Sequence, residues 1–186
     1  REIFGHLRYY GRAGEAMGMA FVLETVTHDL STLVRASIAA GAQREDVDEI
    51  QCHGKAIRDL TGLAPFPRLR KLSLYNNQLN AVTLSAFPQL QHLNLARNKI
   101  QQLRLSDLPQ LSELLCFDNA LTQFELHDLP RLNLLKANAN KMRFFSYDAL
   151  PQLEKIYLFN NQLATIDIDH LPGLRYMDVR QNPMPD

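Results

Sequence analysis

The chain has 186 residues, with 20 Lys plus Arg against 20 Asp plus Glu, so its formal net charge is zero. That balance argues against a general nucleic-acid or anionic-membrane binder, and the length fits one domain with a sizeable core. The longest apolar run, residues 16–23, is far short of the ~20 residues that span a bilayer. It runs into Glu24, His28 and Asp29 with no small-residue cleavage site, which makes it a poor signal peptide. The chain starts at Arg1 without a Met and is read as a trimmed or processed piece.

Residues 1–12 are basic and aromatic and show no period. Residues 13–40 are expected to form an amphipathic helix. Ala16, Met19, Leu23, Val26, Leu30, Leu33 and Ser37 recur at spacings of three and four, and Gly41 is a plausible stop. Such a stripe must cover something apolar, and the open end of a repeat core is the candidate. Residues 1–46 are therefore assigned to an N-terminal helical cap and 47–186 to a repeat domain.

Residues 47–68 read as a degraded first repeat, with Val47, Ile50, Cys52, Ile57 and Leu60 at apolar spacing and Lys55 where later units have asparagine. Six units of 21 residues follow, the last truncated, starting at Leu69, Leu90, Leu111, Leu132, Leu153 and Leu174. A fixed period in this range signals a solenoid. The column Asn77, Asn98, Asn119, Asn140, Asn161 and Asn182 has no gap. Asn offers donor and acceptor to backbone at a tight turn, so in a stack it should serve its own bend and its neighbour's. The leucine positions accept Cys116, Ala137, Ile156, Met177 and Val179, as a core does.

The second half of each unit alternates with period two: Val82 and Leu84, Leu103 and Leu105, Phe124 and Leu126, Phe145 and Tyr147, Ile166 and Ile168. With a proline closing each unit from the degraded first one onward (Pro67, Pro88, Pro109, Pro130, Pro151, Pro172), this predicts an extended return segment and not a helix. Cys52 and Cys116 fall on inward positions three strands apart. At ~4.8 Å per strand they are roughly 14 Å from one another, beyond disulfide reach. Two buried thiols point to a reducing compartment and so to a cytoplasmic location.

Leu69, Leu72, Leu74, Asn77 and Leu79, and again Leu90, Leu93, Leu95, Asn98 and Ile100, meet the pattern L-x-x-L-x-L-x-x-N-x-L. The chain resembles the leucine-rich repeat family over residues 47–186. The resemblance implies an α/β solenoid: a curved right-handed coil with a concave parallel β-sheet, a convex side of short strands or irregular segments, and a capping helix. The doubled L-x-x-L-x-L resembles a short bacterial repeat class and the repeat domains of bacterial effectors, which implies the bacterial or a host cytosol. It also implies that the concave face binds proteins.

On that face the outward positions form three columns. They run Lys71, His92, Glu113, Leu134, Lys155, Tyr176; Ser73, Asn94, Leu115, Lys136, Tyr157, Asp178; and Tyr75, Ala96, Phe117, Asn138, Phe159, Arg180. Tyr75, Leu115, Phe117, Leu134, Tyr157, Phe159 and Tyr176 are the candidate protein-binding residues, centred on Phe117 and Tyr157, because apolar and aromatic surface clusters mark interaction sites. The competing reading is that they only pack along the strands. Lys71, Arg97, Lys136, Lys155, Glu113 and Asp118 would form a mixed-charge rim.

No catalytic, cofactor or metal site is expected. None of the six histidines stands in a metal spacing, Cys116 should point into the core, and there is no phosphate-binding loop. The expected partner is a protein, with neither nucleic acid nor membrane. An alternative is the substrate-recognition part of a larger bacterial effector enzyme such as a ubiquitin ligase. The strand Arg175–Val179 is left as an open edge, with three explanations: a chain cut before a further domain, a short proline-terminated end, or pairing through that edge, so a monomer or weak dimer is expected.

Overall fold

One 21-residue unit makes one circuit of a coil: a three-residue strand, a bend at the asparagine, an extended return, and a second bend before the next leucine. The computed structural model describes residues 5–10, 18–23, 47–60 and 66–185. Twelve strands result: β1 Gly5–Tyr10, β2 Gly18–Leu23, β3 Glu49–Gln51, β4 Lys71–Ser73, β5 Ala81–Ser85, β6 His92–Asn94, β7 Gln102–Ser106, β8 Glu113–Leu115, β9 Gln123–His127, β10 Leu134–Lys136, β11 Lys155–Tyr157 and β12 Tyr176–Asp178. Nine of them form one sheet in the order β1-β2-β3-β4-β6-β8-β10-β11-β12, and β5-β7-β9 form a second. Apart from the antiparallel β1–β2 pair, every pairing is parallel.

The register is one repeat per strand, so like residues stack: Leu72 on Leu93, Leu93 on Leu114, Leu114 on Leu135, Leu135 on Ile156. These central residues point inward and are almost fully buried. In the second sheet Val82 and Leu84, Leu103 and Leu105, and Phe124 and Leu126 point inward while their neighbours are exposed or half-buried. Between the sheets lies one continuous apolar core from Val47 to Leu171. Each fully buried Leu there contributes roughly 1.5–3 kcal/mol from area removed from water.

The bends carry two columns of left-handed backbone. Asn76, Arg97, Asp118, Ala139, Asn160 and Gln181, each just before a ladder asparagine, have φ of 54–60°. Ala86, Asp107 and Asp128 repeat the conformation at the opposite corner, at 52–60°. Turning an L-residue this way is costly, and at the first of these corners the asparagine ladder holds it there. Asn119 Nδ2 donates to Leu95 O (3.0 Å) and to Cys116 O (3.1 Å), while its Oδ1 accepts from the N–H groups of Asn98 (3.2 Å) and Ile100 (3.0 Å). The same scheme recurs at Asn77, Asn98, Asn140, Asn161 and Asn182. Each asparagine thus serves its own bend and the preceding one, as expected. Lys55, where the column is broken, leaves the first bend intact because Asn77 ties it through Cys52 O and the N–H groups of Lys55 and Ile57.

Two expectations need correction. The helix placed over 13–40 is replaced at Gly18–Leu23 by a strand that pairs with β3 through Ala20–Glu49, Phe21–Ile50 and Val22–Gln51. Phe21 and Val22 favour strand, Gly18 disfavours helix, and a short unbroken apolar run reads equally well as a buried strand. The rest of that helix lies outside the described residues. Gly5–Tyr10, for which no element was expected, is the strand beside it. On the convex side the ladder stops at β9: residues 145–147 and 166–168 run extended without strand pairing. There Phe124, Phe145 and Tyr147 stack with ring centroids 5.8 and 5.0 Å apart, and aromatics fill the layer that Leu and Val fill earlier.

Candidate interaction face

The outward side of the nine-stranded sheet carries the residues that the sequence singled out, and the register decides which of them meet. Leu134 sits between Glu113 and Lys155, and Leu115 between Asn94 and Lys136. Tyr157 sits between Lys136 and Asp178, and Lys155 separates Leu134 from Tyr176. Apolar and cationic side chains therefore interleave and form no unbroken apolar patch. The closest aromatic pair on this face is Tyr157 with Tyr176, rings 5.2 Å apart, and Lys136 Nζ lies 5.1 Å from the centre of the Tyr157 ring. Such a cation over an aromatic face is favourable by ~0.5–1 kcal/mol at an exposed site. Tyr176 is exposed, while Tyr75, Leu115, Phe117, Leu134, Tyr157 and Phe159 are half-buried.

Tyr75 stands apart from this group. It meets His53 edge-on at 5.9 Å, and the Arg97 guanidinium lies 5.8 Å from its ring centre. At the other end, Asp178 is buried under Arg180, whose Nη2 and Nε donate to its two oxygens at 2.7 and 3.0 Å. Those bonds hold the Asp178 carboxyl below the usual carboxylate range.

The sheet also bears a cleft of about 190 Å³ that the candidate set touches only at Leu115, with Lys71 and Glu113 of the predicted rim. It lies over the first repeats, lined by Glu49, Gln51, His53, Lys71, Ser73, His92, Asn94, Glu113 and Leu115 together with Ile50, Leu72 and Leu93. His92 Nδ1 is 2.9 Å from Glu113 Oε2, and His53 is hydrogen-bonded to the Ser73 hydroxyl. Burial pushes the His53 imidazole below its ordinary pKa. Extending the three outward columns back by one unit would have found Glu49, Gln51 and His53. The degraded repeat hid them, because its leucines are replaced by Ile50 and Cys52.

Cys52 and Cys116 are both buried as thiols. Desolvation drives the Cys116 pKa far above its ordinary value, so its thiol is inert in the folded chain. Among the described residues no group of three or more His, Cys, Asp or Glu stands in a position to hold a metal ion.

A parallel coil of leucine-lined turns tied by an asparagine ladder defines the class of fold: this is a leucine-rich repeat solenoid. A family model described as Leucine Rich repeats (2 copies) matches residues 67–110. Among solved structures the chain is similar to the leucine-rich repeat domain of LRIM1. That match has a TM-score of 0.52 and 18% identity over 88% of this chain and 75% of that one. It speaks for the fold. A comparison with curated protein sequences gave no match.

Proposed function

We propose that the outward face of the nine-stranded sheet binds a protein segment laid across the strands. Tyr157, Tyr176 and Leu134 are its apolar anchors, and Lys136 and Lys155 set its orientation. The observation that carries this reading is the Tyr157–Tyr176 pair with Lys136 over the ring. Two aromatics, one half-buried and one exposed, sit on paired strands beside Lys136 and Lys155, and aromatic side chains of this kind supply much of the binding energy at interfaces. Phe117, Phe159, Leu115 and Tyr75 extend the surface, and the polar cleft from Glu49 to Glu113 gives the segment a second, charged contact. Buried thiols at Cys52 and Cys116 support a reducing, cytoplasmic setting.

The test is the double substitution Phe117→Ala with Tyr157→Ala. Affinity capture with the wild-type chain identifies a partner, and calorimetric titration of that partner follows. The double variant should bind at least about tenfold more weakly with an almost unchanged thermal midpoint. Wild-type affinity in the double variant refutes the assignment.

A further inference from the structure

Among the described residues the most exposed large hydrophobic side chain is on neither sheet's inward face nor on the proposed binding face. It is Phe144, 72% exposed, at the bend that follows the ladder asparagine of the fourth unit. It lines a shallow groove of about 430 Å³ with Thr122, Gln123, Lys141, Arg143 and Gln162. On this flank the bend positions of the 21-residue units carry Arg97, Lys99, Lys141 and Arg143 against one acid, Asp118, and that acid is occupied by Arg97 at 3.5 Å. Lys99, Lys141 and Arg143 have no ion pair among the described residues.

The opposite flank has the reverse character. There a second shallow groove of about 440 Å³ is lined by Asp107, Asp128 and Asp148 with Pro109, Pro130, Pro151, Leu129 and Ala149. Asp107 and Asp128 have no ion pair among the described residues, and Asp148 meets only His127, at 4.0 Å. Arg131 is the cation nearest to this groove in sequence, and its guanidinium donates to Gln110 at 2.7 Å. Both acids sit on left-handed corners of rigid bends, so their spacing is one repeat, like that of the prolines between them.

We propose that the chain associates side to side with a second copy of itself, Phe144 of one copy entering the proline-lined groove of the next. Lys141 and Arg143 then face Asp107 and Asp128. The zero net charge of the whole chain conceals this division into a basic flank and an acidic one. The contact is heterologous, because each copy offers one knob and one groove on opposite flanks, so it extends into a row unless capped. It leaves the concave face open in every copy and is independent of what that face binds. One aromatic side chain and two charge pairs make a small contact for a protein pair, so the association is weak and driven strongly by concentration.

The test is sedimentation velocity on the full chain from about 10 μM to 1 mM, at low and high ionic strength, against the salt sensitivity expected of exposed charges. The wild-type chain should show a concentration-dependent rise in sedimentation coefficient that salt reduces. Phe144→Ser, a substitution at an exposed position, should weaken it at least about tenfold and leave the melting midpoint unchanged. Lys141→Glu with Arg143→Glu should give a chain acidic on both flanks. Asp107→Lys with Asp128→Lys should give one basic on both. Each of these variants should sediment as a monomer alone, and an equimolar mixture should associate again. A wild-type chain monomeric at 1 mM and low salt overturns the proposal. So does a Phe144→Ser variant that associates like wild type, or a mixture of charge variants that stays monomeric. Capture of a free acidic peptide at Phe144 by a monomeric wild-type chain also overturns it, in favour of a different occupant.

Discussion

Replacing Asn140 by alanine tests the ladder at a buried rung. Its Nδ2 donates to Cys116 O at 3.1 Å and Ala137 O at 3.0 Å, and its Oδ1 accepts from Leu121 N–H at 3.0 Å. The two carbonyls are shared: Cys116 O also receives Asn119, and Ala137 O also receives Asn161. They lose one partner and keep one, at about 0.5–1.5 kcal/mol each. The Leu121 N–H has no second partner in the bend and is orphaned in the core, at about 1–3 kcal/mol. The sum is ~2–6 kcal/mol, a large fraction of the ~5–15 kcal/mol that holds a domain together. Urea unfolding followed by circular dichroism measures it, and a loss under about 1 kcal/mol refutes the reasoning. Asn140→Asp adds a pH signature. Its carboxylate would face the two carbonyls, so burial and repulsion raise its folded pKa above the unfolded ~3.9. The variant should therefore be most stable below that value and lose stability as pH rises toward neutrality. The wild-type rung has no charge to titrate, and parallel pH profiles of the two proteins would refute the geometry.

Further outcomes follow from other positions. Ala139 holds a φ of 56° without the side chain suited to it, whereas Asn76 and Asn160 occupy the same place in their units, so Ala139→Asn should raise stability by roughly 0.5–1 kcal/mol in the same urea assay. Asp178→Asn should flatten the acid limb of the stability profile. The depressed carboxyl contributes above its unfolded value of ~3.9, and that contribution is lost as pH falls through the lower folded value. Cys116 is fully buried, so its labelling by a maleimide should follow the unfolding rate and stay negligible in native buffer. Fast labelling of the native chain would contradict its inward placement.

The repeat was legible because one spacing served two purposes. Leu72, Leu93 and Leu114 mark the core and Asn77, Asn98 and Asn119 mark the bend, so period and chemistry agree at every unit. The apolar run at 18–23 was not legible, because an unbroken run has no period to separate strand from helix, and pairing with β3 decides it. For the candidate face, the columns already set Lys136 between Leu115 and Tyr157 and Lys155 between Leu134 and Tyr176, and the one-repeat register has the same order; what sequence could not show is which rings and cations come into contact, as Tyr157 does with Tyr176 and Lys136. Phe144 escaped notice for a related reason. It stands beside Phe145, which the alternation places inward, and only the placed bend shows that no neighbour covers the phenylalanine left outside.

The ladder has a direction. The N–H groups of Leu79, Ile100, Leu121, Met142 and Leu163 are each capped by an asparagine in the unit that comes after. No unit completes its own bend; it waits for its successor. During synthesis the newest turn is therefore the loosest, and each is sealed only when some twenty further residues have emerged. Deleting units from the C-terminal side strips the cap from a turn that remains. Deleting them from the N-terminal side removes the capped turn and leaves an idle side chain. Shortened forms should fray from the C-terminal end, so proteolysis would advance backward along the coil, one turn at a time.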